Sequence, residues 1–192
     1  IDAEMLVRDG DAIYLAEMHA VEVEVAERVK TLASKSPGPM GAAASRANPT
    51  ADLYSLITRA EAAAGVTYHP RQREAVATAL SSGFSVITGG PGTGKSMITR
   101  AIVSIYTTAN KGKPVYLCSP TGRAAKRLSE ATGQEAKTIH RLLAYHPELG
   151  FMVNADEPLA PGLLIADEAS MMDISLAKSL LASCADGMQV VL

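Results

Sequence analysis

The eight residues Gly89-Gly90-Pro91-Gly92-Thr93-Gly94-Lys95-Ser96 fit the pattern G-x-x-x-x-G-K-[ST]. Each residue type answers a need of a phosphate chain. Glycines let the backbone curl with several N–H groups turned inward and no side chain in the way. The helix expected to follow adds its positive N-terminal end. Lys95 supplies a point charge to the β and γ phosphates, and Ser96 offers a hydroxyl to Mg²⁺. A second group suits the first: the apolar run Leu163-Leu164-Ile165-Ala166 ends in Asp167-Glu168. Asp167 would hold Mg²⁺ directly or through water. Glu168 would orient an attacking water and take its proton. The chemistry on offer is transfer of a nucleotide's terminal phosphoryl group to water.

For the two groups to meet, strands must point the same way, because in a parallel sheet a strand's C-terminal end lies beside the phosphate loop. The hydropathy pattern predicts such a sheet. Residues 84–88 read as a buried strand before the loop and 95–109 as a helix after it. Strands at 115–118, 163–166 and 189–192 then alternate with helices at 121–132 and 171–184. This is an α/β pattern, a mostly parallel sheet with helices on both faces. Upstream, one helix begins at Pro70 and stops before Gly83. Another begins near Asp52, with Leu53, Leu56, Ile57 and Ala60 on one face and Gly65 ending it. Residues 35–51, KSPGPMGAAASRANPTA, break every period and read as a linker. Before them, two apolar runs flank the turn signal Asp9-Gly10 as a hairpin. Met18, Val21, Val25, Val29 and Leu32 then recur at helical steps. The expected division is a small α+β piece over 1–34, a linker over 35–51 and a nucleotide-binding lobe over 52–192.

Of the 192 residues, 47% are hydrophobic and 20% charged, which supplies enough apolar surface for a core and excludes a disordered chain. No run approaches the ~20 apolar residues of a membrane span. Two cysteines, Cys118 and Cys184, exclude a disulfide-stapled secreted scaffold and read as buried thiols. With no secretory signal, a cytoplasmic protein is expected. His19, His69, His140 and His146 lack ligand spacing, so no metal besides Mg²⁺ is expected. The net charge of −2 speaks mildly against a nucleic-acid partner, but residues 1–34 carry −5 and residues 35–192 carry +3. Within 121–141, Arg123, Lys126, Arg127, Lys137 and Arg141 face only Glu130 and Glu135. Screening over about 8 Å makes that local sign matter more than the total. With aromatics at 4% and no Trp, nucleic acid would be held chiefly by its phosphates, Tyr145 and Phe151 being candidates for base stacking.

Taken together, Gly89–Ser96 and Asp167-Glu168-Ala169-Ser170 resemble motifs I and II of superfamily 1 helicases. Ser119–Leu128, with Pro120-Thr121-Gly122-Arg123 at its head, is similar to motif Ia of the RecD-like helicases, the family of the exodeoxyribonuclease V alpha subunit. Thr138-Ile139-His140-Arg141-Leu142-Leu143 and the stretch from Phe151 into Leu163–Asp173 look like theirs too. The resemblance covers residues 68–192 well and the N-terminal piece loosely. It implies a P-loop NTPase with a RecA-like lobe and an ATP- and Mg²⁺-dependent helicase moving 5′ to 3′ on single-stranded DNA. It implies adenine recognition by Gln72 and DNA contact by Pro120, Thr121, Gly122, Arg123, Thr138 and His140. The chain ends in Val190-Val191-Leu192, where the family runs on into motif III. The expectation is therefore a first motor lobe without the second RecA-like lobe and its arginines, nearly inactive in hydrolysis by itself. The family includes nuclease-complex subunits and relaxase-linked forms. The alternatives are a P-loop ATPase that is no helicase, and a non-enzymatic DNA- or partner-binding module.

Overall fold

A computed structural model describes residues 5–34, 49–90 and 92–192. The linker expected over 35–51 thus lies outside the described residues as far as position 48. From Pro49 the chain is helical, three residues ahead of the expected start.

Strands β1 (Leu6–Asp9) and β2 (Ala12–Leu15) pair antiparallel, with Gly10 at φ +59° in the turn. Helix α1 (Ala16–Ser34) follows, then α2 (Pro49–Ala64) and α3 (Pro70–Ser81). Strand β3 (Phe84–Ser85) leads to α4 (Lys95–Ala109), β4 (Val115–Ser119) to α5 (Gly122–Thr132), and β5 (Ala136–Thr138) to the short α6 (Ile139–Leu142). A hairpin of β6 (Tyr145–His146) and β7 (Gly150–Phe151) precedes β8 (Leu163–Ala166), α7 (Ile174–Ala182) and β9 (Gln189–Val191).

The sheet has the order β3-β9-β8-β4-β5, and every pairing in it is parallel. Side chains alternate across a strand, and that alternation builds two cores from the same strands. Leu117, Leu163, Ile165 and Val191 face α2, α3, α4 and α5, meeting Ile57, Val76, Leu80, Ile102 and Leu128. Cys118, Leu164, Ala166 and Val190 face the other way, onto Leu32, Ile139, Leu143, Leu180 and Leu181. Burial on both faces explains why these strands read as continuous apolar runs. Burial pushes the Cys118 thiol far up and the Cys184 thiol up to about 12.

Helix α1 belongs to the second layer. Leu32 lies in that core, and Arg28 donates from Nε to the carbonyl of Leu181 at 3.1 Å and from Nη2 to that of Cys184. Both carbonyls sit at the end of α7, where a helix leaves acceptors unsatisfied and favours a cation. Lys178 on α7 pairs with Glu24 on α1 at 2.7 Å.

Several expected boundaries shift for local reasons. Strand β3 stops at Ser85 although the ladder is prolonged by the Ile87 N–H to the Leu192 carbonyl, and Val86 is 59% exposed. Among the described residues β3 pairs on one side only, so its outward positions reach solvent. The helix expected from 171 begins at Ile174, because the Asp173 carboxylate accepts the Leu176 N–H at 2.8 Å as an N-cap. Residues 169–171 form a 3-10 turn instead. Strand β5 and the β6–β7 hairpin are additions. Among the described residues no helix is long and apolar enough to cross a membrane.

Candidate functional site

Because β3, β8, β4 and β5 are parallel, their C-terminal ends open on one edge of the sheet. The loop over 86–94, the pair Asp167-Glu168, the segment Pro120–Arg123 and the pair Thr138 and His140 all leave the sheet along this edge.

In the phosphate loop Gly92 and Gly94 hold φ values of +75° and +86°, a region that favours glycine. The Gly94 carbonyl starts α4, accepting from the N–H groups of Met97 and Ile98 at 3.0 Å. A Cβ on Gly94 would lie 2.7 Å from Gln72 Nε2, and one on Gly89 would lie 2.6 Å from Thr93 Oγ1. At these two positions a Cβ would have to displace a neighbouring side chain, whereas Gly90 and Gly92 have open space there. Lys95 Nζ donates to the carbonyls of Gly89 and Gly90, and the Thr93 hydroxyl donates to Gly90 O at 2.8 Å. The ammonium thus sits on the loop's own oxygens. Pro91 lies outside the described residues.

Gln72 stands in the first turn of α3 and spans two elements. Its Oε1 accepts the His69 N–H at 2.8 Å, half of a capping box, and its Nε2 donates to the Thr93 carbonyl at 3.0 Å. The amide fastens the helix start to the phosphate loop. Of its two donor hydrogens and its acceptor lone pairs, one hydrogen and one lone pair are used in this way. Glu61, buried on α2, supports the same corner by accepting from the Tyr68 N–H at 2.8 Å and from Arg73 at 2.7 Å. Burial, and then the Glu61 charge, raises the Tyr68 phenol above its usual range.

At the end of β8 the Asp167 N–H donates to the Cys118 carbonyl at 2.9 Å, extending the ladder with β4 by one bond. Glu168 then takes φ +56°, costly for a residue with a Cβ, and closes the 3-10 turn through the Met171 N–H. Its carboxylate lies 3.6 Å from Arg127 Nη2 on α5. Lys95, Ser96, Arg127, Asp167 and Glu168 line one cleft of about 90 Å³. A wider groove of about 660 Å³, between α1 and the end of α7, holds none of them.

The donor set suits Mg²⁺ bound together with a nucleotide. A hydroxyl and a carboxylate are hard oxygen ligands, and Mg²⁺ takes its other positions from phosphates and water. Among the described residues no group of three or more His, Cys, Asp or Glu could hold a metal ion, so the nucleotide's own oxygens would have to complete this site.

Farther along the edge, Thr121 caps α5 by accepting the Ala124 N–H at 3.3 Å, and Thr138 caps α6 by accepting the Arg141 N–H at 3.2 Å. The caps are neighbours: a Cβ on Gly122 would lie 4.0 Å from Thr138 Cγ2. Both threonine hydroxyls therefore shape the chain, while Arg123 and His140 are exposed. His140 also belongs to a ring cluster, its centroid 5.5 Å from those of Tyr145 and Phe151, which lie 5.0 Å from each other. Sequence reading named all three rings but not their meeting, which depends on the β6–β7 hairpin. It also missed the pairing of Arg127 with Glu168, which joins residues far apart in the chain.

A glycine loop between a strand and a helix, with a carboxylate pair on a parallel strand beside it, defines a RecA-like, P-loop nucleotide-binding lobe. The chain belongs to a family described as the AAA domain, whose model matches residues 72–192. Several of the relatives it matches carry the name RecD or RecD2. It is 51% identical over 107 residues to an ATP-dependent RecD2 DNA helicase of Deinococcus radiodurans, covering 56% of this chain and 14% of that protein. It is 31% identical to the RecBCD enzyme subunit RecD of Mycolicibacterium smegmatis, over 90% of this chain and 32% of that protein. The ATP-dependent DNA helicase dda of Enterobacteria phage T4 is 36% identical over 50% of this chain and 23% of its own length. The chain thus spans less than a third of each of these relatives.

Proposed function

We propose that the protein carrying this chain is an ATP-dependent DNA helicase of the RecD type, in which the chain is the first of two RecA-like lobes. The observation that carries the reading is the common edge. Lys95, Ser96, Asp167 and Glu168 line one cleft, and the exposed Arg123 and His140 leave the same edge from neighbouring parallel strands.

Lys95 exchanges the loop carbonyls it now bonds for the β and γ phosphate oxygens of ATP. Ser96 and Asp167 would hold Mg²⁺, which would supply positive charge against the phosphates. Glu168 orients a water and accepts its proton as the oxygen–phosphorus bond to the γ phosphate forms and the bond to the β,γ bridging oxygen breaks. Gln72 keeps the loop in shape and reads adenine with its remaining hydrogen-bonding positions. Pro120, Thr121, Gly122, Arg123, Thr138 and His140 form the track for single-stranded DNA, followed 5′ to 3′. The second lobe supplies arginines to the transferred phosphate, and such groups are worth about 10³–10⁵ in rate in related sites. A nuclease complex, as in the relatives named RecBCD subunits, is one setting for the protein, and the cytoplasm is its place. In domain terms, the lobe takes in α1, whose Leu32 and Arg28 tie it to the second core.

The test is ATP turnover by the intact protein, with and without single-stranded DNA, beside a Lys95→Ala version. Strong stimulation by DNA that vanishes in the variant is expected. Hydrolysis indifferent to DNA would leave a P-loop ATPase and remove the helicase reading.

A further inference from the structure

Arg127 has no part in the phosphate chemistry described above, yet it reaches into that cleft and holds Glu168 at 3.6 Å. Its position on α5 is informative. Ala124, Ala125 and Leu128 form the helix's buried face, which leaves Arg123 and Arg127 exposed, one turn apart. Arg123 stands at the helix head, beside the Thr121 and Thr138 caps where the proposed DNA track passes. Arg127 stands between that head and Glu168. Its side chain is 65% exposed and that of Glu168 39%, so the pair is held by neither burial nor packing. An exposed pair of this kind is weak, and a phosphate offers a guanidinium a better, bidentate partner. Glu168 itself sits on a left-handed backbone that tolerates few side chains. In this structure its carboxylate is paired with Arg127.

We infer that Arg127 is a positioning residue linking the two ends of the sheet edge: without DNA it keeps the Glu168 carboxylate on α5, and a phosphate of single-stranded DNA at the head of α5 draws it away and frees that carboxylate for the attacking water. The inference rests on the proposed helicase reading and adds to it a route by which the strand regulates hydrolysis. The link needs no movement of the sheet. A long, exposed side chain exchanges one anion for another within its own reach, and the turn that opens on the strained Glu168 loses its tie to α5 and loosens.

The experiment uses the intact protein and a single-stranded oligothymidine, first without nucleotide. Hydrogen exchange is followed at the Met171 and Met172 amides, which bond to the Glu168 and Ala169 carbonyls. In the wild type, DNA should speed their exchange several-fold. In Arg127→Ala the exchange should already be fast and DNA should add nothing, while Arg127→Lys should restore the dependence. In steady-state hydrolysis, Arg127→Ala should raise the DNA-free rate and lower the stimulation ratio, with KM for ATP unchanged. Wild-type exchange that ignores DNA, or an Arg127→Ala protein that keeps the full stimulation ratio, overturns the inference. A wild type whose hydrolysis DNA does not stimulate overturns the helicase reading, and this inference with it. Stimulation together with an unmoved turn overturns this inference alone. Substitution at an exposed position leaves the buried face of α5 intact, so folding is not at stake.

Discussion

At the β3–β8 half of the sheet edge, backbone conformation does the positioning. Gly92 and Gly94 sit in the left-handed region, Glu168 is forced there despite its side chain, and Gln72 bonds to a main-chain carbonyl of the loop. At the β4–β5 half, ordinary helix caps do it: Thr121 and Thr138 each accept one N–H, and the backbone around them is unstrained. A phosphate chain needs many N–H groups converging within a few ångströms, which only an unusual backbone provides. A nucleic-acid strand needs a row of donors along an edge, and successive helix heads above parallel strands supply one. The two halves should therefore respond differently to substitution.

The largest effect expected separates their chemistry. Lys95→Ala should lower DNA-stimulated ATP turnover on the order of 10²–10³-fold, the usual cost of removing one charge-stabilising donor. It should leave nucleotide-free binding to single-stranded DNA unchanged in an anisotropy titration. Arg123→Ala should do the reverse to binding, weakening it and reducing the slope of log affinity against log salt by about one. Equal loss of DNA affinity in both variants would show that the halves are not independent.

Backbone strain gives the next effect. Gly94→Ala places a Cβ on a residue at φ +86° and 2.7 Å from Gln72 Nε2. A loss of about 1–3 kcal/mol in denaturant unfolding is expected. Adding Gln72→Ala removes the close approach but not the positive φ, so it should recover only part of the loss. Complete recovery would mean that the loop can adopt another backbone, against the idea that conformation positions this half.

At the capped half the cost is smaller and chemically specific. Thr138→Ala or Thr121→Ala should each lose ~1 kcal/mol, a fall of about 2–4 °C in Tm for a domain of this size. Thr→Ser should keep most of that stability, since the serine hydroxyl can accept the same N–H. A DNA affinity that falls in Thr138→Ala yet is normal in Thr138→Ser is expected if the hydroxyl acts through the cap.

The comparison also explains what was legible beforehand. Residue types with a fixed relation to backbone shape were readable: the glycines of the phosphate loop, the apolar runs of β4, β8 and β9, and Gly65 at the end of α2. Contacts between distant segments were not. Gln72 meets Thr93 across 21 positions, and nothing in either neighbourhood announces it. Arg127 reads as one cation of a solvated helix face until β8 brings Glu168 to it. The short strands escaped for another reason. Ala136-Lys137-Thr138 offers one apolar residue, and Tyr145-His146 with Gly150-Phe151 is too brief for a period of two to emerge. The start of α7 was misread because Met171 and Met172 extend its apolar pattern past the Asp173 cap.

Strand β4 is shared by both halves, and its Cys118 gives the smallest effect. The Cys118 carbonyl accepts the Asp167 N–H on the site side, while its thiol points into the core under α1 and α7. Burial raises this thiol, and that of Cys184, above the ordinary value of 9.0, the latter to about 12. In the unfolded chain both ionise near the ordinary value, so above it the unfolded state binds fewer protons than the folded one. Stability contributed by the protonated thiols is therefore full well below pH 9 and declines as pH rises through 9 toward 12. At pH 9 an unfolded thiol is half ionised, a loss of about 0.4 kcal/mol per thiol relative to pH 7. Denaturant midpoints measured from pH 7 to 9.5 should fall with this curvature, and Cys118→Ala combined with Cys184→Ala should flatten it. An equally steep fall in the double variant would assign the loss to other groups. A wild type with no fall would mean that the thiols ionise in the folded protein as readily as in the unfolded chain, against their burial beneath the strand that joins the two halves.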